Sequence, residues 1–549
     1  MKYATVLALA TAGFAAAAPG GPKKSWSPKK GHPGAWKPKH HVPRPQWPTK
    51  VLPPPAHPTS TSSSAGSTAT ALPYVDSAAL QASILQSNLA DKSQDLEDIA
   101  YATAGRNRVM GSEGHNNTVA YLVESIEALG DYYTVYAQPF IALYSATAGN
   151  LTVNDVLAET ATYEYSPGGS ITAELVTVAN LGCNATDFPA GVTDKIALVS
   201  RGTCPFGQKS ALAGAAGAAG IVIYDNINET VSGGTLGPPP RPEGDYVPSI
   251  AVSQAVGKGW VASLAAGETL TGELLVDSDI RNLTTFNVIA ESVGGNKNAT
   301  LVIGAHSDSV AAGPGINDDG SGTVGILEVA EQLSKYSLTN SVRIAWWSGE
   351  EFGLLGSNYY TSQLTDAEVA QIRLYLNFDM IASPNYIYAI YDGDGSAYNI
   401  SGPPGSAEAE YFFEDFFESK GLNSTPTAFD GRSDYGGFLD RGSAAGGLFT
   451  GAEEIKTAEQ AALFGGQAGV ALDSNYHQAG DNVTNLNFEA FVVNTQAIAA
   501  AVAEYATSWD SLPAPNVNVT RRSIEKRASA GKRSAASGSL GKYCAHAVL

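Results

Sequence analysis

Cysteine is scarce, with three residues in 549: Cys183, Cys204 and Cys544. That excludes a disulfide scaffold, and since no cysteine lies between 205 and 543 it excludes a cysteine nucleophile there. Long apolar runs are missing beyond the first 18 residues, where Lys2 and the apolar run Ala4 to Ala17 read as a secretory signal too short to span a bilayer. Basic residues are thin in the middle of the chain. Of 33 Lys and Arg, nine fall in residues 1–72, which hold no acidic residue, and seven in 521–549, which hold one. Residues 73–520 keep 17 basic against 52 acidic side chains, a net charge of −35. Such a body repels polyanions, which argues against nucleic acid and anionic membranes as partners. Histidine is sparse as well: within this body it occurs only at His115, His306 and His477.

What the chain does have begins with ten Asn-x-Ser/Thr sequons, at Asn116, Asn150, Asn184, Asn228, Asn282, Asn298, Asn399, Asn423, Asn482 and Asn518. With the signal over 1–18 they point to a glycosylated protein that is secreted or, alternatively, delivered to a vacuole lumen. Residues 19–72 are rich in Pro, Lys, Ser and Thr and cannot bury enough apolar surface to fold, so they read as a pro-segment or linker. Residues 511–549 form a basic, disordered tail. Apolar stripes at helical spacing, Leu80, Ile84, Leu85 and Leu89, then Val119, Leu122, Val123, Ile126 and Leu129, predict helices in residues 73–149 that pack on something larger. Short β-rich segments separated by Gly and Pro turns fill 150–280 and predict a separate, mostly β module, in which Cys183 and Cys204 close a short loop able to pair in an oxidising compartment.

From 281 to 510 strands alternate with helices. Strands are predicted at Leu301 to Ala305, Val342 to Trp347, Leu374 to Phe378, Tyr386 to Tyr391 and Gly447 to Phe449, and helices near 322–335, 407–419 and 488–505. The alternation predicts an α/β domain with a mostly parallel sheet and helices on both faces. Functional side chains gather at the carboxyl ends of such strands. Here successive strands end in His306, in Glu350 and Glu351, and in Asp379, with Asp318 and Asp319 on a Gly-rich loop between them and His477 returning from far along the chain. Two imidazoles and three carboxylates around one point suit two borderline cations sharing a carboxylate, with zinc the default. A carboxylate left over beside them is a natural general base. Asp308, two residues after His306, is placed to fix the imidazole tautomer. A serine nucleophile is disfavoured, because Gly320-Ser321-Gly322 only superficially resembles the Gly-x-Ser-x-Gly elbow.

At these residues the sequence resembles the dizinc aminopeptidases of metallopeptidase family M28, most closely the fungal aminopeptidase Y and secreted leucine aminopeptidase type. The resemblance runs from about 80 to 507. It rests on Gly304-Ala305-His306-Ser307-Asp308-Ser309, Gly315-Ile316-Asn317-Asp318-Asp319-Gly320, Trp347-Ser348-Gly349-Glu350-Glu351-Phe352, Asp379-Met380-Ile381, Gly431-Arg432-Ser433-Asp434-Tyr435 and Tyr476-His477-Gln478. It implies a three-layer α/β/α zinc exopeptidase fold with a mixed, mostly parallel sheet. It also implies two Zn2+ per chain, one held by His306, Asp318 and Asp379 and the other by Asp318, Glu351 and His477. Glu350 matches the general base, Tyr476 the hydroxyl that stabilises the tetrahedral state, and Arg432 a substrate-binding position. A cis peptide is implied between Asp318 and Asp319. Residues 150–280 resemble an inserted protease-associated domain through Arg201-Gly202-Thr203-Cys204-Pro205-Phe206 and Ala215 to Tyr224, which implies a Cys183–Cys204 disulfide and either a role in access and partner binding or a passive lid. One departure stands out: relatives flank the last histidine with a Cys pair where this chain has Asn475 and Gly480, which predicts a more mobile loop.

The expected function is a metalloaminopeptidase that removes an apolar, Leu-like first residue from peptides with a free N-terminus, acting as a monomer without nucleic acid or a membrane span. The alternatives are a related carboxypeptidase or mono-zinc cyclase, and a metal-free, receptor-like binding protein.

Overall fold

Strands that are apolar on both faces need a helical layer on each, and four core strands meet that condition. The computed structural model describes residues 72–227, 231 and 233–514. The signal, all but the last residue of the 19–72 segment, the tail beyond 514, Asn228, Asn518 and Cys544 lie outside the described residues. Strand Asn296–His306 pairs in parallel with Asn340–Trp347 on one side and Ile372–Phe378 on the other, and the latter pairs in parallel with Ala445–Phe449. Leu301, Ile303, Val342, Ile344, Trp346, Leu374, Leu376 and Phe378 face one layer, packed with apolar residues of helices Gln86–Tyr101, Glu113–Glu127, Gly320–Leu333 and Phe488–Thr507. Their neighbours in sequence, Val302, Ala345, Trp347 and Tyr375, face the opposite layer with Tyr360 and Phe438. The fold is therefore α/β/α, with a mixed, mostly parallel sheet. Among the described residues no helix is long and apolar enough to cross a membrane.

The predicted strand at Tyr386 to Tyr391 is shorter, Ala389–Tyr391, because Ile387 N–H bonds out of register to the Thr450 carbonyl. The first apolar stripe is split between Ser77–Ala82 and Gln86–Tyr101, which leaves Leu85 exposed at the break while Leu80, Ile84 and Leu89 are buried.

The inserted region does not hang from a linker. Strands Tyr133–Val153 and Thr271–Ser292 pair antiparallel over their whole shared length, from Tyr133 opposite Ser292 to Val153 opposite Gly272. One end of this ribbon joins the peptidase sheet, where Thr271–Ser292 pairs with Asn340–Trp347. The other end pairs with Gly169–Thr177 and carries the parallel strands Ile196–Ser200, Gly220–Tyr224 and Ser249–Val252. Positions 150 and 280 thus fall inside two continuous strands. The module is β-rich as expected, and two helices, Phe206–Ala215 and Gln254–Ala265, flank its sheet, because its Ala-rich and Gly-rich stretches pack on that sheet as short helices. Cys183 and Cys204 are disulfide-bonded, with Cα atoms 5.7 Å apart.

Candidate metal centre

The site lies where the parallel strands end. His306 is the last residue of its strand, Asp379 follows Phe378, and Glu350 and Glu351 open a short turn after Trp347. That turn is entered through Gly349 at φ 76°, a conformation few side chains adopt. Asp318 and Asp319 precede helix Gly320–Leu333, and the peptide bond between them is cis. Gly322 lets this helix approach the end of the Asp379 strand: a Cβ there would lie 1.9 Å from the Phe378 carbonyl oxygen.

Asp318 stands at the centre. Its Oδ1 lies 3.1 Å from His306 Nε2 and its Oδ2 lies 3.1 Å from His477 Nε2. Asp379 Oδ1 flanks His306 Nε2 at 3.6 Å, and Glu351 Oε2 flanks His477 Nε2 at 3.0 Å. Asp319 is also nearby, but its oxygens are taken by the main-chain N–H groups of His306, Gly322 and Met380. Asp319 therefore shapes the loop, and Asp318 is the carboxylate open to both imidazoles.

These residues fit bound cations. Glu351 Oε1 is buried without a hydrogen-bond partner, a costly state for a carboxylate oxygen unless a cation satisfies it. Burial opposes a charge on either imidazole, but Asp379 and Glu350 around His306, and Glu351 and Asp318 around His477, outweigh it and raise both well above the ordinary range. The cluster thus carries an excess of negative potential. Mixed imidazole and carboxylate donors suit zinc. Glu350 makes no such close approach: its Oε2 is 3.8 Å from His306 Nε2, and it lines the cleft beside Asp318, Asp379 and Tyr476. Burial, with Asp379, Asp434 and Glu351 adding to it against His306, pushes its carboxyl well above the usual range.

Asp308 approaches His306 through two groups. His306 Nδ1 lies 3.2 Å from the main-chain carbonyl oxygen of Asp308, whereas the carboxylate is 3.7 Å away, drawn off to accept the Glu350 N–H at 3.2 Å. The main-chain carbonyl is thus the nearer partner of Nδ1, and the side chain also holds the turn that presents Glu350.

Comparison with known proteins decides the family. The probable leucine aminopeptidase 2 of Aspergillus fumigatus is 52% identical over 437 residues, 79% of this chain and 87% of that protein. The chain belongs to peptidase family M28. The family model matches residues 287–502, and a PA domain model matches 171–260. Leucine aminopeptidase 2 of Trichophyton rubrum is 49% identical over 80% of this chain and 88% of its own length. Among solved structures, the aminopeptidase from Aneurinibacillus sp. strain AM-1 covers 81% of this chain and 99% of its own at a TM-score of 0.65 and 25% identity. BSAP, a zinc aminopeptidase from Bacillus subtilis, shares the fold at a TM-score of 0.58 and 22% identity, covering 79% of this chain and 97% of its own.

In this M28 metalloaminopeptidase the remaining predicted residues surround the cluster. Tyr476 stacks on His477, ring centroids 3.8 Å apart, and its hydroxyl is 3.5 Å from Arg432. Arg432 is ion-paired with Glu453 at 3.0 Å and Glu454 at 3.1 Å, so it lines the cleft as a neutralised group that steadies Tyr476. Positions 475 and 480 face each other, since a Cβ on Gly480 would lie 2.2 Å from Asn475 Oδ1. Hydrogen bonds tie this loop instead of a disulfide. Asn475 donates to Asn485, Asn485 donates to Asp473 and Asp481, and Asp481 accepts the N–H groups of Asn317 and Asp318. The two loops that bring Asp318 and His477 are therefore braced against one another.

Further residues support the cluster from behind. A line of neutral donors runs from Trp347 Nε1 to Tyr375, Asn377 and Ser433, whose hydroxyl donates to Asp379 Oδ2 at 2.5 Å. Such an outer partner orients a metal-binding carboxylate. Arg108 is fully buried and donates to the carbonyls of Ser307, Pro314 and Gly315, clamping the segment between His306 and Asp318. His115 contacts Ser307 Oγ at 3.0 Å, and burial pushes its imidazole down to about 4, so this third histidine is a neutral structural group.

Proposed function

We propose that the chain is a secreted, dizinc aminopeptidase that removes an apolar first residue from peptides, with His306, Asp318 and Asp379 holding one zinc and Asp318, Glu351 and His477 the other. The observation that carries this reading is Asp318, each of whose oxygens lies 3.1 Å from a different imidazole. Zinc bound in such a donor set supplies Lewis acidity toward a carbonyl and lowers the pKa of water. Glu350, buried and lining the cleft without joining the cluster, takes the proton of the attacking water on its carboxylate and delivers it to the leaving amine as the C–N bond breaks. Tyr476 donates its hydroxyl hydrogen to the developing oxyanion.

Substrate choice follows from the cleft. Asp430 adds negative charge to Asp318, Glu350 and Asp379 along its walls, which favours an α-ammonium group. Met380, Tyr391 and Phe449 offer an apolar wall for the first side chain. The inserted domain contributes Glu164, close enough for its carboxyl to feel Glu351 and His477; burial first, then Glu351, pushes it up to about 7. That supports a role for the domain in shaping access. Export and glycosylation are supported by Asn116, Asn150, Asn184, Asn282, Asn298, Asn399 and Asn423, all exposed, with Asn482 partly so.

The test compares Leu-p-nitroanilide with its N-acetylated form. Hydrolysis of the free amine alone is expected, abolished by chelation and restored by zinc. Equal cleavage of the acetylated substrate would overturn the aminopeptidase reading.

A further inference from the structure

A second acidic cluster lies away from the residues described above. Asp392 and Asp394 sit on the loop Asp392-Gly393-Asp394-Gly395-Ser396 that leaves strand Ala389–Tyr391, and Glu410 comes from helix Ser406–Ser419. One carboxylate oxygen from each lies within 4.8 Å of the others. Among the described residues none of the three is ion-paired with Lys, Arg or His. Asp392 is 0% exposed and Glu410 3%.

Most of the oxygens are engaged by neutral donors. Asp392 Oδ2 accepts the N–H groups of Ala397 and Tyr398, Glu410 Oε2 accepts those of Gly393 and Asp394, and Asp394 accepts Ser396 N–H and the Tyr411 hydroxyl. Asp392 Oδ1 is the exception, sealed from solvent with no hydrogen-bond partner. With Oδ2 taken by the loop amides, Oδ1 is left buried with neither a donor nor solvent to satisfy it. Burial, then the charges of Asp394 and Asp392, pushes the Glu410 carboxyl up to about 7 in spite of the Asp394 and Gly393 N–H groups that it accepts. A shared proton or a cation relieves such an arrangement.

The donor set separates these options. All available donors are oxygens, with no imidazole or thiolate, which selects a hard cation over zinc. Oxygens bound to one Ca2+ at about 2.3–2.6 Å can lie up to about 5 Å apart, whereas Mg2+ at about 2.0–2.1 Å requires a tighter set. A set of three protein carboxylates suits Ca2+, since Mg2+ is usually held by one or two carboxylates together with waters and substrate phosphates.

We propose that Asp392, Asp394 and Glu410 form a structural calcium site. The ion ties the loop to helix Ser406–Ser419 and steadies one wall of the cleft, because Tyr391 precedes the site and Asp392 N–H bonds to the Thr427 carbonyl at 2.8 Å, both Tyr391 and Thr427 lining the cleft. Calcium binding itself does not depend on the aminopeptidase reading.

The zinc-loaded, full-length protein is titrated with Tb3+ at physiological salt, following emission sensitised through Tyr411, and Ca2+ is then used to displace it. Saturable emission that Ca2+ displaces is expected, with apparent affinity falling at least about thirty-fold in Asp392→Asn. Calcium at a hundred-fold excess over its dissociation constant is expected to raise the melting temperature by about 5 °C in the parent protein and leave Asp392→Asn unmoved. Glu410→Gln is read in the same way if the first variant does not fold. The site is refuted if the parent melts at the same temperature with and without millimolar calcium, or if the variants bind Tb3+ as tightly as the parent does. A variant that melts higher than the parent without calcium, beside a parent that ignores it, would assign the cluster to a shared proton.

Discussion

Glu350→Gln is expected to lower kcat on Leu-p-nitroanilide by about a hundred-fold to ten-thousand-fold, the usual contribution of a positioned general base. KM is expected to stay within a few-fold and bound zinc to stay unchanged. The separation of effects comes from geometry. Glu350 is 3.8 Å from His306 Nε2, farther than Asp318, and its place is fixed through its main-chain N–H by Asp308. Glutamine keeps the shape and the turn but cannot accept the proton from water. Metal analysis beside steady-state kinetics checks both halves, and normal turnover with zinc bound would remove Glu350 from the proton path.

Asp318→Asn is expected to act in the opposite manner, through the metals. Asp318 approaches both imidazoles, so its replacement removes a ligand from each half of the cluster at once. Bound zinc is expected to fall below one per chain. Because the stabilisation at stake is several kcal/mol, kcat/KM is expected to drop by about a thousand-fold or more. Asp379→Asn is the informative control, since Asp379 approaches His306 at 3.6 Å and is expected to weaken only that half of the site. Equal zinc content in Asp318→Asn and the parent would show that Asp318 does not bridge.

The strand-end residues were legible in the sequence because each acid or histidine stands at or just beyond the end of an apolar run. Their convergence follows from parallel pairing, which the alternation of strands and helices also announces. The residues that hold them were not legible. Tyr375 links Trp347 to Asn377 through its hydroxyl, and Arg108 reaches the His306 to Asp318 segment from some 200 positions earlier. Neither contact leaves a periodic or local trace. The ribbon of Tyr133–Val153 and Thr271–Ser292 was hidden for a related reason: its strands are polar enough over Asp277 to Thr285 to read as turns, and their pairing is separated by the whole inserted domain. At Asp308 the sequence pointed to the carboxylate, and the main-chain carbonyl, which no residue type announces, lies nearer to His306 Nδ1.

The central claim is that two zinc ions share Asp318 at one active site. Stepwise addition of zinc to the metal-free enzyme, with bound metal and Leu-p-nitroanilide hydrolysis measured at each step, tests it most directly. Activity is predicted to reach its plateau only as the second equivalent per chain is taken up. Full activity at one equivalent, with no second ion bound, would contradict it.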